Sequence, residues 1–303
     1  MSLPVSKMLA PRELTQLLDN PSLAASIKCV DATWHMPNSS SPQPSLEFQK
    51  IRLPRARFFD IDGICDRTSI YPHMLPDART FQLSMNQLNI QRTDNLAVYD
   101  TVGGFSCFRA GWMLRGFGHE GRVWILRNYL DYVKEGRAME SLNTLTPVSE
   151  TGDYGLKEFD SDMVISYENL SMLVEDKKVG LSSGQTVVID ARSYGRFTGE
   201  SPEPRPGISS GHVPGAVSVQ FNELLEDKTN KMLPSEELKK VFELRGIDTT
   251  RTDLDIVAMC GTGVTACVVE TASRVLEVQG RVRVYDGSWT EWAMRDGPIE
   301  KSV

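Results

Sequence analysis

Short apolar runs and amphipathic stretches alternate along most of this chain. In the second half, "TVVIDA" (186–191), "AVSVQ" (216–220), "DIVAM" (255–259) and "VRVYD" (282–286) are β-rich and predict strands. Among them, "SEELKKVFELRG" (235–246) and "ACVVETASRVLEVQG" (266–280) carry helical spacing, and each closes on a glycine. This alternation predicts an α/β unit built on a mostly parallel sheet flanked by helices.

The pattern is written twice. "CVDATW" (29–34) matches "VIDARS" (188–193), and "LPRARFFDI" (53–61) matches "VPGAVSVQF" (213–221). "LAVYDTVGGFSC" (96–107) matches "IVAMCGTGVTAC" (256–267), and "EGRVWILRNYLDYVKEG" matches "QGRVRVYDGSWTEWAMRDG". All four fall at an offset of 159 or 160 positions, which a duplicated domain explains and chance does not. The expected organisation is an N-terminal domain over 1–140, a linker over 141–163 and a C-terminal domain over 164–303. The stretch from about 138 to 163 is polar, aperiodic and rich in Ser, Thr, Gly and Asp. "MPNSSSPQPS" (36–45) reads as a surface loop of the first copy.

The copies differ at one telling position: Cys260 of the second falls on Asp100 of the first. A strand ending at Met259 and a helix beginning near Thr265 put Cys260 on a strand-to-helix turn. Gly261 and Gly263 permit positive φ and close backbone approach. Backbone N–H groups of such a turn form an anion nest, helped by the positive end of the adjoining helix. A thiol of pKa ~8.5 is about 3% thiolate at pH 7, whereas one lowered to ~6 is about 90% thiolate. The same nest would hold a persulfide. A buried structural cysteine needs no Gly-Thr-Gly after it, so Cys260 reads as a nucleophile. Cys267, two helical turns on, reads as core, and Cys29, Cys65 and Cys107 as structural.

Composition narrows the alternatives. The chain has 303 residues and a net charge of −7, with no basic run, which disfavours nucleic acid and phosphate-rich partners. Five cysteines without C-x-x-C spacing and four scattered histidines argue against a disulfide framework and a metal centre, and for a reducing compartment. There is no apolar stretch of spanning length, and the N-terminus lacks a secretory core; the expected place is the cytosol, with a mitochondrial fraction left open. A cysteine phosphatase would need an arginine where this chain has Ala266, so that chemistry is disfavoured.

The motifs "CGTGVTAC", "YDGSWTEW" (285–292), "DARSYGRFTGESPEPRPGISSGHVPGA" (190–216) and "FFDIDGICDRTSIYPHMLP" (58–76) give the chain a family. It resembles the 3-mercaptopyruvate sulfurtransferases of the rhodanese superfamily over nearly its whole length. The resemblance implies two tandem rhodanese-like domains, an inactive first with Asp100 at the cysteine position and a catalytic second, with the active site between them. It assigns the substrate carboxylate to Arg196 and Arg205, for which surface ion pairs with Glu200 and Glu203 are the competing reading. Proton handling falls to Thr262, His73 and Asp62, and persulfide stabilisation to the backbone of Gly261, Thr262, Gly263, Val264 and Thr265. Relatives more often carry Ser where this chain has Thr262.

The implied reaction moves sulfur from 3-mercaptopyruvate through a Cys260 persulfide to a thiol or cyanide acceptor, releasing pyruvate, with no metal or organic cofactor. Thioredoxin or a sulfur-relay protein would serve as the thiol partner; neither nucleic acid nor membrane is expected to bind directly. Thiosulfate as donor, a persulfide relay feeding tRNA thiolation, and a non-catalytic binding module are the alternatives. Thiosulfate-preferring relatives carry basic residues just after the cysteine, where this chain has Gly261 and Thr262.

Overall fold

The computed structural model describes residues 8–36, 39–41, 43–126, 128–141, 152–182 and 185–302. The chain divides into two compact units, each with its own five-stranded sheet. Unit 1 comprises Met1–Thr68, Leu75–Phe159 and Thr229–Lys231; unit 2 comprises Ser69–Met74, Asp160–Lys228 and Met232–Val303. Two short segments thus pack with the unit opposite to the one their sequence position suggests.

Unit 1 holds strands β1 (Met8–Leu9), β2 (Ile27–Asp31), β3 (Arg57–Phe58), β4 (Asn95–Tyr99) and β5 (Val123–Leu126), in the order β1-β5-β4-β2-β3. Its helices are α1 (Pro11–Asp19), α2 (Pro21–Ala24), α3 (Pro44–Lys50), α4 (Ala78–Gln87), α5 (Ser106–Gly116) and α6 (Tyr129–Lys134). Unit 2 repeats the plan with β6 (Val164–Ile165), β7 (Thr186–Asp190), β8 (Val217–Ser218), β9 (Asp255–Met259) and β10 (Arg281–Tyr285), in the order β6-β10-β9-β7-β8. Its helices are α7 (Tyr167–Glu175), α8 (Tyr194–Thr198), α9 (Ser235–Leu244), α10 (Ala266–Val275) and α11 (Ser288–Met294).

Every pairing between these strands is parallel. The central strands are covered on both faces, so β4 ("NLAVY") and β9 ("DIVAM") are apolar without alternation after their first residue. In unit 2 the core joins Val188, Val257 and Met259 of the sheet to Trp289 and Trp292 of α11. In unit 1 it joins Cys29, Ala97 and Tyr99 to Leu126 and Tyr132. The topology has a functional consequence. From β2 the chain moves to β3 on one side, while from β4 it moves to β5 on the other; β7 and β9 do the same. The carboxyl ends of each such pair flank a switch point, where open α/β sheets place their ligands.

Three expectations change. The helix predicted over 266–280 ends at Val275, because Glu277 adopts φ +52° and Val278 N–H bonds back to the Ser273 carbonyl at 3.1 Å. The chain must turn there to begin β10 beside β9. The strand predicted at 216–220 pairs only over Val217–Ser218, at the sheet edge. Finally, residues 142–151 of the predicted linker lie outside the described residues, but its later part is packed rather than tethering. Tyr154 is buried and stacks on His119, and Phe159 lies edge-on to Phe117 and tilted over Trp112. Aperiodic sequence marks the lack of helix or strand there, not exposure to solvent.

A backbone constraint recurs in both units where the chain enters its last inner strand. A Cβ on Gly121 would stand 1.8 Å from the Asp94 carbonyl oxygen, and one on Gly280 would stand 1.9 Å from that of Leu254. Backbone cannot move aside as a flexible side chain does. Gly280→Ala is therefore expected to lower unfolding stability by about 3 kcal/mol, read from urea titrations of tryptophan fluorescence. An unchanged midpoint would show that the crossing can open at no cost.

Candidate active site

β9 ends at Met259 and α10 begins at Ala266, so Cys260 stands at the carboxyl end of the central strand, at the switch point of unit 2. It is 3% exposed. The first turn of α11 pins the cysteine loop. The Cys260 N–H donates to Ser288 Oγ at 3.0 Å, and its carbonyl accepts from the Trp289 N–H at 2.9 Å. The Gly261 carbonyl accepts from both the N–H and the hydroxyl of Thr290, at 3.0 and 2.7 Å. Ser288 takes φ +51° to do this and donates its own hydroxyl to the Tyr285 carbonyl. "YDGSWTEW" is thus the clamp on the cysteine loop, a role its apolar and acidic letters do not announce.

The two glycines do different work. Gly263 adopts φ +77°, whereas Gly261 does not use the left-handed region. Instead, a Cβ on Gly261 would lie 3.2 Å from Arg196 Nη2, so its smallness lets a guanidinium approach the backbone beside Cys260. Val264 and Thr265 are buried beneath the same turn.

Unit 1 shows what this loop type does with an anion. Asp100 occupies the cysteine's place at the end of β4, and the same number of residues separates it from α5. Its carboxylate accepts the N–H groups of Val102 at 3.2 Å, Gly104 at 2.7 Å and Cys107 at 2.9 Å. Gly103, the counterpart of Gly263, is again left-handed, at φ +106°. Three backbone amides on one carboxylate are the nest that the sequence predicts around Cys260. Three of the other cysteines are held towards the neutral thiol. Burial pushes the Cys29 thiol up to about 12 and raises Cys65 and Cys107 as well, the last also by the Asp100 charge.

Thr262 is buried, and its Oγ1 lies 2.9 Å from His73 Nδ1. His73 is itself buried, at φ +63°, on the Ser69–Met74 segment that packs with unit 2. Asp62 lies in unit 1, where its carboxylate accepts the Trp34 indole N–H at 3.0 Å. Arg196, on α8, gives Nε and Nη2 to the two oxygens of Glu203. The ion pair with Glu203 that the competing reading named does form, but it is not a surface pair, since the Glu203 side chain is only 4% exposed. Among the described residues no hydrogen bond occupies Arg196 Nη1, so one edge of the fork remains available for a second carboxylate. Arg205 stands half-buried two residues beyond Glu203.

Motif reading names Glu203 only as a competing ion-pair partner and gives Arg192 no role. Arg192 is fully buried over the Trp289 ring at 4.1 Å, bonded to Asp190, to Glu203 at 2.7 Å and to the Gly211 carbonyl at 2.6 Å. Asp190, Arg192, Glu203 and Arg196 therefore form one alternating chain of charge leading to the cysteine loop. The density of charges in "DARSYGRFTGESPEPR" was the available signal, but which pairs form depends on the loop's path.

The left-handed turn at Gly263 yields a direct test. Gly263→Ala is expected to cost about 1 kcal/mol or more in stability and to slow alkylation of Cys260 by iodoacetamide, measured by mass spectrometry at fixed pH. Equal rates in both proteins would mean that the turn does not shape the thiol's surroundings.

Comparison with known proteins agrees with this geometry. The rhodanese-like domain family matches residues 173–295. The thiosulfate/3-mercaptopyruvate sulfurtransferase 1 of Arabidopsis thaliana is 40% identical over 90% of this chain and 74% of its own length. The thiosulfate sulfurtransferase TUM1 of Saccharomyces cerevisiae is 34% identical over 98% of this chain and 97% of its own. The crystal structure of yeast Tum1 superposes with a TM-score of 0.86, covering 98% of this chain and 99% of that one. With a cysteine loop, its clamp and a duplicated parallel sheet all accounted for, the chain belongs to the 3-mercaptopyruvate/thiosulfate sulfurtransferases of the rhodanese superfamily and is a sulfur-transferring enzyme.

Proposed function

We propose that the enzyme takes sulfur from 3-mercaptopyruvate onto Cys260 and passes it to a thiol or cyanide. The observation that carries this reading is the Arg196 guanidinium beside Gly261, gripped along one edge by Glu203 and open along the other. An α-keto acid has a planar carboxylate that such an edge recognises, and Arg205 is assigned to the same carboxylate. No basic side chain succeeds Cys260 in the loop to favour the thiosulfate dianion.

The Cys260 thiolate attacks the substrate sulfur. A sulfur–sulfur bond forms, the carbon–sulfur bond breaks, and its electron pair passes into the pyruvate enolate. The proton leaving the substrate thiol balances the one that the enolate carbon takes up. Thr262 Oγ1, bonded to His73 Nδ1, is the group placed to relay it. Asp62 rests on the family pattern alone as the carboxylate that orients His73. The loop amides hold the persulfide anion until an acceptor thiolate attacks its outer sulfur and releases Cys260.

A protein partner is favoured by one finding. The yeast mitochondrial complex I sub-stoichiometric sulfur transferase subunit superposes with a TM-score of 0.85 at 34% identity. A relay reading, with persulfide sulfur delivered to a protein partner and onward to uses such as tRNA thiolation, shares every step up to the acceptor. That relative and the mitochondrial Arabidopsis enzyme favour a mitochondrial share.

Intact-mass analysis after single turnover is the test. Mixing with 3-mercaptopyruvate should add one sulfur atom to the protein and none to Cys260→Ser. Faster loading from thiosulfate would reverse the donor assignment. Arg196→Gln is expected to lower kcat/KM for 3-mercaptopyruvate about tenfold or more, chiefly through KM. Glu203→Gln should move KM in the same direction while leaving thiosulfate loading less affected. A fall in kcat alone would place Arg196 in the chemical step rather than in binding.

A further inference from the structure

The first unit keeps a crevice at its own switch point. It encloses about 350 Å³ and is lined by Asp31, Thr33, Glu47, Phe48, Thr101 and Tyr129, with Lys50 also at its wall. That volume lies in the range of small-molecule sites. The sulfur chemistry makes no use of it, since this unit has Asp100 in place of the thiol.

The sister unit shows what is missing here. Asp190 ends β7 beside Met259 of β9, as Asp31 ends β2 beside Tyr99 of β4. Two residues after Asp190 comes Arg192, whose guanidinium is held by that aspartate and by Glu203 over the Trp289 ring in the first turn of α11. Two residues after Asp31 comes Thr33. Part of the receptor remains. Asp31 and Tyr129, in the first turn of α6, stand at the matching positions, and the Tyr129 ring stacks on Tyr99 at 5.5 Å. Pro44 stands where unit 2 has Glu203, and Glu47 of α3 brings a carboxylate from one turn further on. The guanidinium has gone, and a crevice walled by the buried Asp31 lies in its place.

The Asp31 carboxylate is 1% exposed and accepts the N–H and hydroxyl of Thr33; among the described residues no cation lies within 4 Å of it. Burial without a counter-ion pushes this carboxyl up to about 6. Glu47 pairs with His35 Nε2 at 3.0 Å, and Lys50 also lines the crevice. A planar, weakly hydrated cation would satisfy both needs of such a site. It bonds to carboxylates through paired N–H groups and stacks on aromatic faces.

We propose that the crevice of unit 1 is a binding site for a small guanidinium compound, which takes the place that the Arg192 side chain fills in unit 2. The site is independent of the cysteine chemistry and gives the thiol-free unit a ligand of its own.

Agmatine is the probe, titrated calorimetrically into the full-length protein, with N-butylurea as its uncharged planar control. Saturable one-to-one binding of agmatine and none of butylurea is expected. Glu47→Gln, on a side chain about one-third exposed, should weaken agmatine about tenfold. Thr33→Arg, which supplies the guanidinium from within, should abolish binding while the thermal melt shows a folded protein. Asp31→Asn should abolish it too; should that variant fail to fold, the other two decide. Absence of saturable agmatine binding, equal binding of butylurea, or undiminished binding to Thr33→Arg would each overturn the proposal.

Discussion

An anion at the end of a buried parallel strand has to be held by backbone amides, because burial takes it out of water. Both halves of this chain are organised around that requirement. In unit 1 the anion is the Asp100 carboxylate, held by the N–H groups of Val102, Gly104 and Cys107. In unit 2 the matching turn surrounds Cys260, and we propose that its amides hold the persulfide there. A left-handed glycine at the matching position, Gly103 or Gly263, turns each loop inward. The clamp from α11 then sets the loop's shape, through Ser288 and Thr290.

The second organising device is the chain of charge from Asp190 through Arg192 and Glu203 to Arg196. Isolated charges at this depth would be costly, and each is made tolerable by a neighbour of opposite sign and by multiple hydrogen bonds. Such a network adds little net stability over a well-packed apolar core. What it does provide is direction. Glu203 fixes one edge of the Arg196 fork, so the guanidinium meets the cysteine loop in one orientation, and Gly261 leaves room for it.

Duplication let the two copies diverge without altering their sheets. The strand order and parallel pairing are the same in both units, and each last inner strand is entered over a glycine that no larger residue could replace. The divergence that bears on ligands lies at the carboxyl ends of the central strands. There one copy has a thiol and an arginine-filled crevice, and the other a carboxylate and an open one. Changes at these ends leave the core pairs untouched, which is why the fold tolerates them.

Much of this was legible in the chain of letters. The doubled pattern, the strands, the position of Cys260 between a strand and a helix, and the family all come from local residue order, since period and turn chemistry are properties of neighbouring residues. The exact end of α10 was not, because the left-handed Glu277 sits where a longer helix would have been equally periodic. Nor was the packing of Tyr154 and Phe159, aromatic residues in a stretch with no period at all. The pairing of Arg196 with Glu203, the clamp by Ser288, and the meeting of His73 with Thr262 across most of the sequence were decided only by the tertiary structure. The physical reason is that a side chain's partner is set by where the backbone carries it. Residue order determines which elements form, but their packing determines which charges and hydroxyls meet.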